Sequence, residues 1–114
     1  MSEFSSPQSI SKLKAVIQVA FKNIRLWVGV GLWEGQAIDD YASVEERLIA
    51  RQRDEKIDWH HLTAKDLNRC SSSLSFFDPL GMRFHLPAFM MLEIDGEDTT
   101  GSLVFHLTNL DKYT

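Results

Sequence analysis

Four histidines are the side chains best suited to metal binding or acid–base chemistry in this 114-residue sequence. His60 and His61 are adjacent, so on a helix or a strand their side chains diverge, and only a loop would let both bind one metal ion. A catalytic zinc site needs three N or O ligands, often with a His pair at helical spacing, and that pair is absent. His85 lies in an apolar segment, which favours a buried ring bonded to a backbone carbonyl. The sequence therefore predicts no metal site and no cofactor.

Carboxylates are concentrated in the middle of the chain, at Asp39, Asp40, Glu45, Glu46, Asp54, Glu55 and Asp58. Acid–base pairs and oxygen-rich metal sites both require such groups to converge. The spacing of a calcium loop is absent, however, and basic residues alternate with the acids between Arg47 and Lys56. A solvated, ion-paired helix face explains this pattern best. The functional alternative is a negative patch, formed by the first four of these acids, that attracts a basic partner.

Nucleophilic catalysis has little support in the sequence. Cys70 is the only cysteine, so no intrachain disulfide can form, and a reducing compartment is the simplest setting for the chain. Arg69 precedes Cys70 and could lower its pKa, but one cysteine beside a basic residue is a weak indication of reactivity. The serines at 71–73 lack the glycines of a nucleophile elbow and instead favour the end of a helix. We therefore predict no catalytic residue.

A glycine-rich segment, Arg25 to Gly35, contains Trp27 and Trp33. No Gly-Lys-Ser or Gly-Lys-Thr follows, so the segment is not a phosphate-binding loop, and its glycines favour close packing. Three glycines at this density argue against the interior of a helix. We expect a buried loop or a short extended segment near 27–33.

Helical periodicity and capping patterns place most of these residues on helices. Apolar side chains at spacings of three and four predict a helix at about 10–24, with Ser9 able to cap its first turn. Ser43 and Glu46 form a capping box that opens a helix at about 44–54. A second box begins at Thr63 and opens a short helix that ends near Arg69.

The most apolar helix is predicted to begin at Asp78-Pro79, because Asp is a good cap and Pro fits the first helical turn. It is expected to be the central buried helix, kinked or split at Pro87. Arg83 is expected to reach an acid of the second helix, so Arg83→Ala is predicted to lower stability more than any change at a surface arginine. After a polar loop at 95–101, residues 102–107 fit either a strand or a short helix.

Together these patterns predict a mainly α, single-domain fold of about four to five helices at 9–114, preceded by a flexible leader at 1–8. The chain has 12 basic and 16 acidic residues and a net charge of −4, which argues against a nucleic-acid-binding surface. No signal peptide and no apolar stretch of about 20 residues are present, so we expect a cytoplasmic protein without a membrane segment.

Several segments together resemble a family of small bacterial proteins known only as a domain of unknown function. They are Ala37–Tyr41, Asp58-Trp59, Ser73–Asp78 and Gly81–Phe89, and Phe84–Phe89 is the most specific part. The resemblance covers about residues 10–110, and it marks Trp59, Asp78, Arg83, His85 and Pro87 as a structural motif. It implies a mostly helical, cytosolic bacterial domain, with no activity to carry over. It also implies a further C-terminal helix, so truncation at Thr114 is one interpretation of this chain.

Two functions fit these observations. The first is a protein-binding module, most concretely an immunity or antitoxin-type inhibitor, whose acidic patch captures a basic toxin domain. The second is an enzyme or small-ligand binder, with an aromatic pocket between the Trp27–Trp33 loop and the Phe84–Phe89 helix. Trp59 would also line that pocket, and His85 or Asp39 would supply its polar group.

Overall fold

The structure, a computed structural model, describes residues 6–108 and contains six α-helices in that range. They are α1 (Pro7–Ala20), α2 (Leu32–Asp39), α3 (Val44–Arg53), α4 (Ala64–Arg69), α5 (Pro79–Ile94) and α6 (Ser102–Thr108). Two 3-10 helices, Trp59–His61 and Ser71–Ser75, flank α4. No strand occurs between residues 6 and 108. The prediction of a mainly helical fold is confirmed. Of the two segments considered for extended structure, 27–33 is a loop that leads into α2, and 102–107 belongs to α6.

Helix α1 begins and ends earlier than its apolar spacing predicts. Ser6, not Ser9, is the cap: its hydroxyl accepts a hydrogen bond from the Ser9 N–H (3.1 Å), and Pro7 occupies the first turn. The helix ends at Ala20, and Asn23 adopts a left-handed conformation (φ 60°) just beyond it. Phe21 continues the periodic pattern because it packs against the core from the turn. Most of the predicted leader, and the chain end at Thr114, lie outside the described residues.

Three local capping predictions are confirmed. The Ser43 hydroxyl accepts from the Glu46 N–H (3.2 Å) at the start of α3, and the Thr63 hydroxyl accepts from the Asp66 N–H (3.1 Å) at the start of α4. Asp78 caps α5, accepting from the Gly81 N–H (2.8 Å). In each case the cap and its partner are three residues apart, so the hydrogen bond depends only on local sequence.

Helix α5 is the central helix of the domain, as predicted, and packs against α1, α4, α6 and the Trp59–His61 turn. Its buried side contributes three large side chains to the core, Phe84, Phe89 and Leu92. The predicted split at Pro87 does not occur, because α5 continues through this buried proline as one helix.

Helix α2 lies outside this central group and packs against α3 and the Ser71–Ser75 turn. Ser73 is fully buried, and its hydroxyl donates to the Leu32 carbonyl (2.5 Å). Gly35 permits this approach, because a Cβ at that position would lie 2.7 Å from the Ser73 Cβ. The α2–α3 pair is thereby attached to the body mainly through α2.

Candidate functional sites

Helix α3 contacts the rest of the protein through a side that includes two arginines. None of its residues is buried, and its partly covered positions are Arg47, Ala50 and Arg51. Arg51 Nη1 lies 3.1 Å from Glu34 Oε1 on α2, and Arg51 Nη2 donates to the Val28 carbonyl (2.9 Å). Glu34 is buried, so this ion pair provides the charge compensation that its carboxylate requires.

Asp54, at the end of α3, caps α2 from 21 residues away in the chain. Its carboxylate accepts hydrogen bonds from the N–H groups of Trp33 (2.6 Å) and Glu34 (3.3 Å). Gly31 leaves the required space, since a Cβ there would overlap the Asp54 carboxylate. Burial raises the pKa of Asp54 to about 6, although the two N–H groups and nearby Lys56 act in the opposite direction.

Two further cations complete this polar cluster. Lys56 Nζ donates to the carbonyls of Arg51 (2.6 Å) and Asp54 (3.1 Å) at the end of α3, where a cation is favourable. The Arg53 guanidinium lies 3.5 Å from the centre of the Trp33 ring. The charged residues near the end of α3 therefore serve to hold it on α2.

Exposed apolar side chains lie on α3 and on the turn before it. We call this surface the α3 apolar face and define it by Tyr41, Val44, Leu48 and Ile49. Tyr41 is 96% exposed and Leu48 is 55% exposed. Val44 and Leu48 are four residues apart, so they lie on one side of the helix. Tyr41 has a positive φ of 57°, an uncommon conformation for an aromatic residue.

The four acids predicted to form a negative patch are divided between two places. Glu45 and Glu46 are exposed in the first turn of α3, and Asp40 is exposed at the end of α2, where its carboxylate accepts from the Gln36 amide (3.2 Å). These three acids border the N-terminal end of the α3 apolar face. Asp39 is partly covered and lines a separate cleft beside Ser75 and α6.

The expected aromatic pocket is not formed between the Trp27–Trp33 loop and α5. Gly29 packs directly on the first turn of α5, where an added Cβ would lie 2.7 Å from the Leu80 Cβ. The Val30 N–H also donates to the Asp78 carboxylate (3.0 Å), which joins the loop to the helix cap. Trp27 is 68% exposed, and the rings of the Phe84–Phe89 segment that would line the pocket are buried in the core.

His85 and Arg83 have opposite environments on α5. His85 is fully buried, stacks on Phe77 at 4.3 Å, and its Nδ1 lies 2.6 Å from the Gly81 carbonyl, as the sequence predicts. Burial lowers the pKa of His85 to about 4. Arg83 is exposed and forms no ion pair with any residue in 6–108, so its predicted contact with an acid of the second helix is wrong. Arg51 forms that contact instead.

A second polar cluster, which sequence reasoning did not assemble, surrounds the Trp59–His61 turn. His60 Nδ1 lies 2.7 Å from Asp58 Oδ1, and the His60 ring stacks on Trp59 at 3.8 Å. This hydrogen bond lowers the pKa of Asp58. His60 Nε2 also contacts the Gln18 amide oxygen of α1. The run Asp-Trp-His-His at 58–61 indicates that these polar and aromatic groups lie close together. The contact with α1 cannot be predicted from local sequence.

Metal and thiol chemistry have no site in the described part of the chain. No group of three His, Cys, Asp or Glu side chains in residues 6–108 is arranged to hold a metal ion. Cys70 is fully buried, and burial raises the pKa of its thiol to about 12, although nearby Arg69 acts in the opposite direction. None of the helices described here is long and apolar enough to cross a membrane.

These features define a small domain that is all-helical over residues 6–108 and has an exposed apolar face on α3. A family model matches residues 9–113, and the chain belongs to that family, the family of unknown function DUF6714. A search of curated proteins finds no match, and a search of solved structures finds none.

Proposed function

We propose that this domain is a protein-binding module that docks a basic partner on the α3 apolar face. The observation that carries the proposal is that α3 leaves its large apolar side chains, Val44, Leu48 and Ile49, exposed to solvent. Covering one such side chain is worth about 1.5–3 kcal/mol, so a face of four provides a strong contribution to binding. Apolar surface grouped in this way typically marks an interface.

Charge indicates the kind of partner. Asp40, Glu45 and Glu46 lie at one end of the face, and the whole chain has a net charge of −4. A partner with a basic surface is attracted during diffusion and oriented by this acidic border. The basic residues at the other end, Arg51 and Lys56, are already engaged by Glu34 and by backbone carbonyls. They do not neutralise the acidic end.

The face is also pre-organised. The ion pair of Arg51 with Glu34 and the Asp54 cap fix α3 relative to α2, so binding does not require this helix to become ordered. Rigid presentation of a few apolar residues, bordered by one sign of charge, suits an inhibitor that covers a defined basic site. We therefore infer a bacterial, cytoplasmic immunity or antitoxin-type protein whose partner is a basic toxin domain.

The test compares partner capture by variants that add the same charge at different places. Leu48→Glu changes the α3 apolar face, whereas Val16→Glu changes an exposed valine on α1. Both positions are exposed, so both variants are expected to fold. A lysate of the host species is passed over each tagged protein, and the bound proteins are identified by mass spectrometry and then purified.

Wild type and Val16→Glu should retain one stoichiometric partner that Leu48→Glu loses. Charge reversal at Asp40, Glu45 and Glu46 should weaken the binding of that partner. The purified partner should have a basic surface and an activity that falls when the domain is added. Equal retention by Leu48→Glu and Val16→Glu would contradict the docking face. A partner whose activity is unchanged by the domain would contradict the inhibitor role.

A further inference from the structure

A cleft of about 530 Å³ lies between the end of α1, the loop that follows it and residues 57–60. Its size is within the range of small-molecule sites, roughly 300–1,000 Å³. Part of its wall is apolar, formed by Val19, Ile24 and Ile57. None of its lining residues belongs to the α3 apolar face, so the cleft raises a separate question of function.

The charge of this cleft is opposite to that of the whole protein. Lys22 and Arg25 line it, both are exposed, and neither forms an ion pair with any residue between 6 and 108. Among the described lining residues, Asp58 supplies the one carboxylate, and His60 already occupies it. Two cations that pair with no acid among the described residues, beside an apolar wall, are suited to an organic anion.

The inner wall of the cleft is held in place by hydrogen bonds and stacking. Trp59 is 4% exposed, and its indole N–H donates to the Phe21 carbonyl (3.0 Å). His60 stacks on this fixed ring and is held at Nδ1 by Asp58 and at Nε2 by Gln18. A ligand therefore meets a preformed surface, which lowers the entropic cost of binding.

We propose that this cleft binds a small organic monoanion, with its carboxylate between Lys22 and Arg25 and its apolar part against Ile24 and Ile57. The choice of a monoanion follows from the lining, since two cations and Asp58 leave one net positive charge, not counting His60. The Arg25 guanidinium matches a carboxylate in geometry, because its fork of N–H groups can donate to both oxygens.

The experiment is a titration of the full ¹⁵N-labelled chain with benzoate and with octanoate, followed by ¹H–¹⁵N NMR. The three tryptophan indole signals are separate reporters, and Trp59→Phe identifies the one that lies at the cleft. We expect saturable shifts at the Trp59 indole and at the backbone amides of residues 22–25. Lys22→Ala and Arg25→Ala should each weaken binding about tenfold, the loss expected for one hydrogen bond to a charged group. Lys12→Ala, an exposed lysine of α1 outside the cleft, should leave the affinity unchanged.

Benzyl alcohol and phenyl phosphate test the assignment of charge. Benzyl alcohol should bind at least about tenfold more weakly than benzoate, because it cannot pair with the two cations. The proposal is overturned if neither carboxylate gives a saturable shift, if benzyl alcohol binds as well as benzoate, or if Lys12→Ala weakens binding as much as Lys22→Ala. Tighter binding of phenyl phosphate would overturn the choice of a monoanion. Leu48→Glu should bind benzoate normally, which separates this result from the test of the docking face.

Discussion

The Arg51 guanidinium on α3 lies 3.1 Å from the buried carboxylate of Glu34 on α2, and this ion pair joins the two helices on the side of α3 that faces the body. A helix with Val44, Leu48 and Ile49 would ordinarily turn them inward. Here Arg47, Ala50 and Arg51 are the partly covered residues, and the large apolar side chains remain exposed to a partner. The pair therefore links the stability of the domain to the presentation of its candidate docking face.

Arg51→Ala should lower the free energy of unfolding by about 2 kcal/mol, because it leaves Glu34 buried without its cation and removes the bond to the Val28 carbonyl. Arg83→Ala should change it by less than about 0.5 kcal/mol, since Arg83 is exposed and forms no ion pair with the described residues. Urea denaturation followed by circular dichroism measures both. This order reverses the expectation from sequence. Equal unfolding midpoints would show that the ion pair contributes nothing.

Gly31→Ala should destabilise the protein by about 2 kcal/mol, because the new methyl group would displace the Asp54 carboxylate from the start of α2. The matched change is Gly96→Ala, where no atom lies within 4 Å of the new Cβ and the cost is conformational, since φ is 70°. A double-mutant cycle isolates the contact: Gly31→Ala should cost much less in an Asp54→Gly background, which removes the carboxylate and also the Asp54 Cβ that would lie 2.5 Å from the new methyl group. Additive effects of the two substitutions would rule out the overlap.

His85 should make the protein less stable as the pH falls from 6.5 to about 4. Its pKa is about 4 when folded, so in this interval the unfolded chain binds a proton that the folded chain excludes. The full effect is on the order of 3 kcal/mol. His85→Phe should remove this loss, so its stability relative to wild type should improve as the pH is lowered. Phe84→Leu, a neutral change at a buried neighbour, should give a difference that is constant with pH.

Asp54 should have the opposite effect over nearly the same interval. Burial raises its pKa from 3.8 to about 6, so the folded chain binds the proton more tightly and stability falls as the pH rises through this range. Asp54→Asn abolishes this slope and also loses one of the two capping bonds at every pH. Urea unfolding measured from pH 4 to 6 separates the pH dependence of stability from the constant loss caused by the missing capping bond. Ser73→Ala, a neutral change beside α2, should show an offset alone.

Local sequence was sufficient for the starts of three helices and for the burial of His85. Ser43, Thr63 and Asp78 each accept a hydrogen bond from a backbone N–H three residues later, and the His85 ring contacts the carbonyl four residues earlier. Each of these interactions joins residues within about one helical turn, so a short stretch of sequence is enough to predict it.

The candidate sites depended on contacts between residues far apart in the chain. Asp54 caps α2 from 21 residues away, and Gln18 meets His60 across 42 residues. An acid partner is predicted for Arg83 from the sequence, but packing places Arg83 in solvent and Arg51 against Glu34. The sequence by itself determined a helical domain with an acidic charge and no disulfide. The tertiary structure decided which apolar side chains remain exposed, because the burial of a side chain depends on which helices pack against it. Helix α2 contacts α3 through Arg51 and Asp54, and the apolar side chains of α3 stay in solvent.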